Sequence, residues 1–72
     1  MNVRYVYNGT LIGSGWLQTI PREGNFVEFQ TVHKIFVVTD VMFKTVLNGD
    51  VGVLIYLSDI RPEKEHKLRN YK

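Results

Sequence analysis

Several residue groups in this 72-residue chain have types that could do chemistry. The first is Gly9-Thr10-Leu11-Ile12-Gly13-Ser14-Gly15, whose backbone amides could cradle a phosphate. A phosphate loop needs a lysine after its last glycine, because the ammonium contacts phosphate and the next hydroxyl holds magnesium. Here the glycine spacing is wrong and no lysine is near. A dinucleotide fingerprint from Gly13 would need glycine where Gln18 stands. A hairpin turn followed by a bulge accounts for these glycines. Glu23 and Glu28 could form a carboxylate pair, but glycosidases hold such groups roughly 5–10 Å apart across a cleft. A chain this short has little room for one. Ser14, His33 and Asp59 could be written as a triad, yet no nucleophile-elbow context supports it. His33 and His66 are the only histidines and lie far apart, whereas zinc needs three or four ligands. No catalytic, cofactor-binding or metal-binding residue is therefore assigned, and no enzyme activity or small-molecule substrate is expected.

The elements that must position any site are strands. Val3 to Tyr7 alternates, with Val3, Tyr5 and Tyr7 on one side. Asn8-Gly9 is a strong hairpin signal, because a type I′ turn needs positive φ at both central residues. A two-residue loop pairs Tyr7 with Thr10, Tyr5 with Ile12 and Val3 with Ser14. Gly13 and Gly15 suggest a bulge or bend before Trp16. The segment Ile20 to Asn25 is a turn built on Pro21 and Gly24. Phe26 to Thr31 reads as a strand. Ile35 to Leu47 reads as one long strand, or as two segments bent near Thr39-Asp40.

Two runs carry most of the information. Phe36 to Phe43 and Val51 to Leu57 are β-rich and are separated by the turn signal Asn48-Gly49-Asp50. Both have apolar residues at odd and even positions, so each strand is apolar on two faces. Val51, Val53, Ile55 and Leu57 form an unbroken apolar row that is assigned to the core. Trp16, Phe29 and Phe43 are assigned there too. An in-phase hairpin then sets Leu47 opposite Val51. Phe36, Leu54 and Tyr56 fall off the core face and are the candidate protein interface. A chain of this length struggles to cover two apolar faces, which points to a homo-oligomer or another protein partner.

Charge is uneven along the chain. The net charge is +2, but residues 61–72 hold five Lys or Arg against two Glu, and residues 1–60 hold four against five acids. The body is not the basic surface of a duplex-binding domain. Arg61, Lys64, Lys67, Arg69 and Lys72 are the candidate nucleic-acid contacts, with barrel aromatics as a stacking platform. Pro62 suits the first turn of a helix, and Glu63–Lys67 and Glu65–Arg69 are i,i+4 pairs in the favourable order. A short helix of this kind frays or stays disordered.

Pro21-Arg22-Glu23-Gly24-Asn25-Phe26-Val27-Glu28-Phe29, followed by the long strand and the ending Val53 to Ile60, resembles small bacterial and phage (prophage-type) proteins. Those chains are similar to SH3-like or other small open β-barrels, and the resemblance covers about residues 20–60. It implies a fold and a bacterial or phage setting, and it carries no functional residue with it.

Together these features define an all-β chain. Residues 1–60 form one small β domain, a strongly bent antiparallel sheet or SH3-like open barrel of five strands. Residues 61–72 form a basic C-terminal tail or frayed helix. No cofactor is implied. The chain has no cysteine, no apolar signal segment and no stretch near the ~18 apolar residues that span a membrane, so a cytoplasmic setting without membrane contact is expected. The function expected is a non-catalytic interaction module, self-associating or part of a larger assembly. A nucleic-acid accessory role is the alternative.

Overall fold

The structure is a computed structural model that describes residues 1–45 and 51–70, with Val51 described by its backbone alone. Its elements are β1 (Asn2–Tyr7), β2 (Thr10–Trp16), β3 (Phe26–Phe29), β4 (Lys34–Thr45), β5 (Val51–Asp59) and the helix α1 (Pro62–Arg69). The strands form one sheet in the order β2-β1-β5-β4-β3. Three ladders are antiparallel, and β1 runs parallel to β5. The small all-β fold expected from the sequence is present, with this one parallel ladder as an addition. β5 is thereby the central strand, paired along one edge with β1 and along the other with β4.

The β1–β2 hairpin turns on Asn8 at φ 51° and Gly9 at φ 75°, the two positive values that a type I′ turn requires. Tyr7 pairs with Thr10 and Val6 with Leu11. The register then slips, so that Tyr5 faces Gly13 and Val3 faces Gly15, with Ile12 as the extra residue. A plain two-residue loop without a bulge would set Ile12 and Ser14 opposite these two. The bulge changes which residues face inward: the two glycines do, and Trp16 turns outward with Asn2. Trp16 is consequently exposed rather than part of the core.

A second bulge lies in β4. Val38 pairs with Leu57 but Asp40 pairs with Tyr56, which leaves Thr39 between them. The Thr39 hydroxyl donates to the Tyr56 carbonyl at 3.3 Å. One extra residue inverts the alternation of the strand. Phe36 and Val38 face inward before the bulge, and Val41 does so after it. This explains the two-faced pattern of β4 without two apolar faces. It also overturns the interface assignment of Phe36, which is only 4% exposed and belongs to the core. The expected partners Leu47 and Val51 are corrected as well: Val51 pairs with Thr45. Leu47 and the proposed loop Asn48-Gly49-Asp50 lie outside the described residues.

Inward residues of all five strands meet in the hollow of the curled sheet. Val3, Phe36, Val38, Val53, Ile55 and Leu57 are buried, and Tyr5, Tyr7, Leu17, Ile20, Val27, Phe29 and Val41 pack against them. A chain of rings spans the hollow. Tyr5 and Phe29 are 5.1 Å apart, Phe29 and Phe36 5.6 Å, and Tyr7 and Phe36 5.1 Å, all tilted or edge-on as aromatic quadrupoles prefer. Phe29 belongs to β3 at one edge of the sheet and approaches Gly13 of β2 at the other. A Cβ on Gly13 would stand 3.2 Å from Phe29 Cε2, so glycine is what lets the edges come this close. Phe43 faces inward but lies beyond the reach of four-residue β3, and it is 57% exposed instead of filling the core.

The turn before β3 is tied to β4. Gly24, at φ 92°, donates its N–H to the Val38 carbonyl, and Val38 donates to the Asn25 carbonyl, each at 2.8 Å. The helix α1 starts with Pro62 and lies against the β3–β4 end of the outer face. Glu65 accepts the Ile35 N–H at 3.2 Å. Arg69 binds Glu28 at 3.1 Å, Glu65 at 3.0 Å and the His33 carbonyl. Lys64 sits 5.4 Å over the Phe26 ring. Residues 62–70 are thus a docked helical turn pair rather than a free tail.

Candidate protein-interaction face

Outward residues are placed by the same ladders. On β1 they are Asn2, Arg4 and Val6, and on β5 they are Gly52, Leu54, Tyr56 and Ser58. The register builds two rows across the sheet. Leu11, Val6, Tyr56 and Asp40 form one, and Ser14, Arg4, Leu54 and Met42 form the other. Five of these eight residues are large and apolar or aromatic, and the ladders set them side by side on one face. Leu11 is 55% exposed and Met42 41%, while Val6, Leu54 and Tyr56 are half-buried by their neighbours. Trp16, on the adjoining row, is also open to solvent.

Leu54 and Tyr56 therefore stand where the sequence put them, on the side away from the core. Phe36 does not join them. Val6, Leu11 and Met42 were missed, although alternation along β1 from Arg4 could have found Val6, and alternation along β4 between Val41 and Phe43 could have found Met42. Leu11 depended on a bulge position that local sequence leaves open. The helix α1 covers Ile35 and Glu28 at one end of this face. It has no buried residue, and Leu68 is only half-buried.

The other chemical candidates are dispersed. Ser14 faces outward and Asp59 inward, on opposite sides of the sheet, so the paper triad is not assembled. His33 is exposed in the β3–β4 turn at φ 51°. Glu28 is engaged by Arg69 and Glu23 is exposed in a turn. Among the described residues, no group of three or more His, Cys, Asp or Glu could hold a metal ion. Arg61 and Lys67 are exposed, Lys64 and Arg69 have the partners given above, and Lys72 lies outside the described residues.

One polar cluster is well formed. At the lip of the hollow, Tyr7 donates to Asp59 at 2.7 Å and Lys34 approaches the same carboxylate at 2.9 Å. The Lys34 ammonium also lies 5.3 Å from the Tyr7 ring centre and 5.2 Å from that of Phe36. The hydrogen bond from Tyr7, then the contact with Lys34, holds the Asp59 carboxyl below its ordinary range. Hydrogen bonding to Asp59 pushes both the Tyr7 hydroxyl and the Lys34 ammonium up. Each group is driven deeper into its usual charge state, the reverse of a residue poised to exchange a proton near neutrality. The cluster acts as a clasp over Phe36. Burial also raises the Tyr5 hydroxyl.

Among the described residues, no helix is long and apolar enough to cross a membrane. No protein-family profile matches the chain, and neither a curated protein nor a solved structure matches it significantly.

Proposed function

We propose that this protein is a non-catalytic interaction module that binds a protein partner, a second copy or a component of a larger assembly, through its outer sheet face. The observation that carries this is the division of the sheet into two apolar sides. The inner side holds the buried core, and Val6, Leu11, Met42, Leu54 and Tyr56 remain on the other with solvent access. Covering such a patch removes apolar surface from water at about 25 cal/mol per Å². A cysteine-free chain suits a cytoplasmic setting, which we include in the proposal together with the bacterial or phage context implied by the resemblance. Nucleic-acid binding is the weaker alternative, because Arg69 is engaged by the chain's own carboxylates.

The test compares Leu54→Asp and Tyr56→Asp with the unaltered chain. Both variants are expected to unfold cooperatively like the parent, and to lose self-association by light scattering or capture of partners from a soluble extract. Unchanged association and capture in both variants would remove the outer face from consideration. Unfolding as severe as that of Ile55→Asp would show that both faces are internal.

A further inference from the structure

Strand β4 is longer than the strand beside it. On the side away from β5, β3 pairs only with Lys34 to Val37, and the preceding turn extends this to Val38. Among the described residues, no strand covers that side from Thr39 to Thr45, although the same stretch continues to pair with β5 on its other side. Asp40, Met42, Phe43, Lys44 and Thr45 are exposed there. A row of open backbone donors and acceptors on a sheet edge is a template for another strand.

The sequence of this edge is chemically symmetric about Met42. Going outward, Val41 matches Phe43, Asp40 matches Lys44, and Thr39 matches Thr45. We propose that two copies of this chain pair antiparallel along this edge, with a two-fold axis at Met42. An isologous contact requires a surface that is its own complement. In this register Asp40 lies opposite Lys44 of the second copy, and the two-fold repeats the pair on the other side. Directly opposed side chains have Cβ atoms about 4.5–5.5 Å apart, close enough for an ion pair.

The two faces agree with the same register. Val41 and Phe43 point inward, level with Ile55 and Val53. Pairing sets Val41 of each copy beside Phe43 of the other, which covers the exposed Phe43 ring and carries the core across the seam. Asp40, Met42 and Lys44 point outward, so two ion pairs flank a Met42–Met42 contact. Moving the axis by one residue sets either Asp40 or Lys44 opposite Met42 and breaks the match. Among the described residues, neither Asp40 nor Lys44 has an ion-pair partner within its own chain. A lysine on an edge ordinarily guards against pairing; here its complement stands at the distance that self-pairing requires.

The proposal concerns a different surface from the outer-face reading and stands apart from it. It is tested by mass in solution, measured by sedimentation over a concentration series. The unaltered chain is expected to pass from monomer to dimer. Asp40→Lys and Lys44→Asp each oppose like charges, and each is expected to stay at monomer mass at concentrations where the parent is dimeric. The double exchange Asp40→Lys with Lys44→Asp is expected to recover the dimer. An equimolar mixture of the two single variants is expected to give a heterodimer, since every opposed pair is then of unlike sign. Both positions of change are exposed, and circular dichroism checks that each variant keeps its sheet. A parent that stays monomeric, single variants that dimerise like the parent, or a double exchange that does not recover would each overturn the proposal. Loss of association in Tyr56→Asp with none in Asp40→Lys would overturn it while leaving the outer-face reading in place.

Discussion

Replacing Phe36 by alanine separates the two assignments this residue has received. If Phe36 lined an outer interface, Phe36→Ala would weaken association and leave folding nearly untouched. In the structure its ring is 4% exposed and contacts both Tyr7 and Phe29 at centroid distances of 5.1 and 5.6 Å. Phe→Ala in a core costs about 3–5 kcal/mol, and two broken aromatic pairs of about 0.5–1.5 kcal/mol each favour the upper part of that range. At about 0.05–0.15 kcal/mol per residue, a chain of this length has a total stability of only about 4–11 kcal/mol. The substitution therefore removes a large share of it. For a domain this small, each kcal/mol moves the melting temperature by about 4–8 °C, so a loss of at least ~12 °C is expected. Thermal unfolding followed by circular dichroism reads it directly. A shift of only a few degrees would refute the inward placement of Phe36, and with it the phase inversion at Thr39.

Further outcomes follow from other contacts. Gly13→Val should cost about 1–3 kcal/mol by overpacking against Phe29, and parent-like denaturant unfolding would show that the two sheet edges are not held together there. Glu65→Ala deprives the Ile35 amide of its acceptor; faster hydrogen exchange at that amide and a loss of about 1 kcal/mol are expected, and unchanged exchange would place α1 away from the sheet. The Asp59 carboxyl lies below its ordinary 3.8, so its contribution is complete above that value and is lost as the pH falls through the depressed one. Tyr7 and Lys34 lie above their ordinary 10.0 and 10.5, so theirs is complete below those values and is lost as the pH rises through the raised ones. Asp59→Asn should accordingly be less stable than the parent near neutral pH, with the gap closing in acid; a gap that persists undiminished in acid would dismiss the clasp.

Some of this architecture was legible from local pattern. Asn8-Gly9 specified its turn because positive φ at two successive residues leaves few alternatives. The row Val53, Ile55 and Leu57 specified the core side of β5, and Leu54 and Tyr56 its outer side. Other features were legible only in part. Gly13, Gly15 and the stretch Thr39-Asp40 signalled a bulge or bend, but which residue is the extra one, and so which side the strand turns inward afterwards, depends on what the neighbouring strand presents. Trp16 and Phe43 were misplaced for that reason and for the shortness of β3. The bond from the Ile35 amide to Glu65 joins a backbone group to a distant side chain, and nothing in either segment announces the other. The outer face was half legible, because alternation reaches along a strand but not across a ladder.

The parallel ladder between β1 and β5 also sets the order in which this chain can fold. Val3 meets Val53 and Tyr7 meets Leu57, so the central contacts join residues about fifty positions apart. Synthesis proceeds from the N-terminus, and β1 and β2 emerge long before the strand that completes their sheet. Until β5 arrives, β1 has no partner along its second edge, and β4 has none along most of its length. Closing so long a loop before its contacts reward it makes folding slow. During that wait, the bare edges of β1 and β4 are open to pairing with other nascent chains. β5 is the strand that joins the β1–β2 and β3–β4 pairs into one sheet.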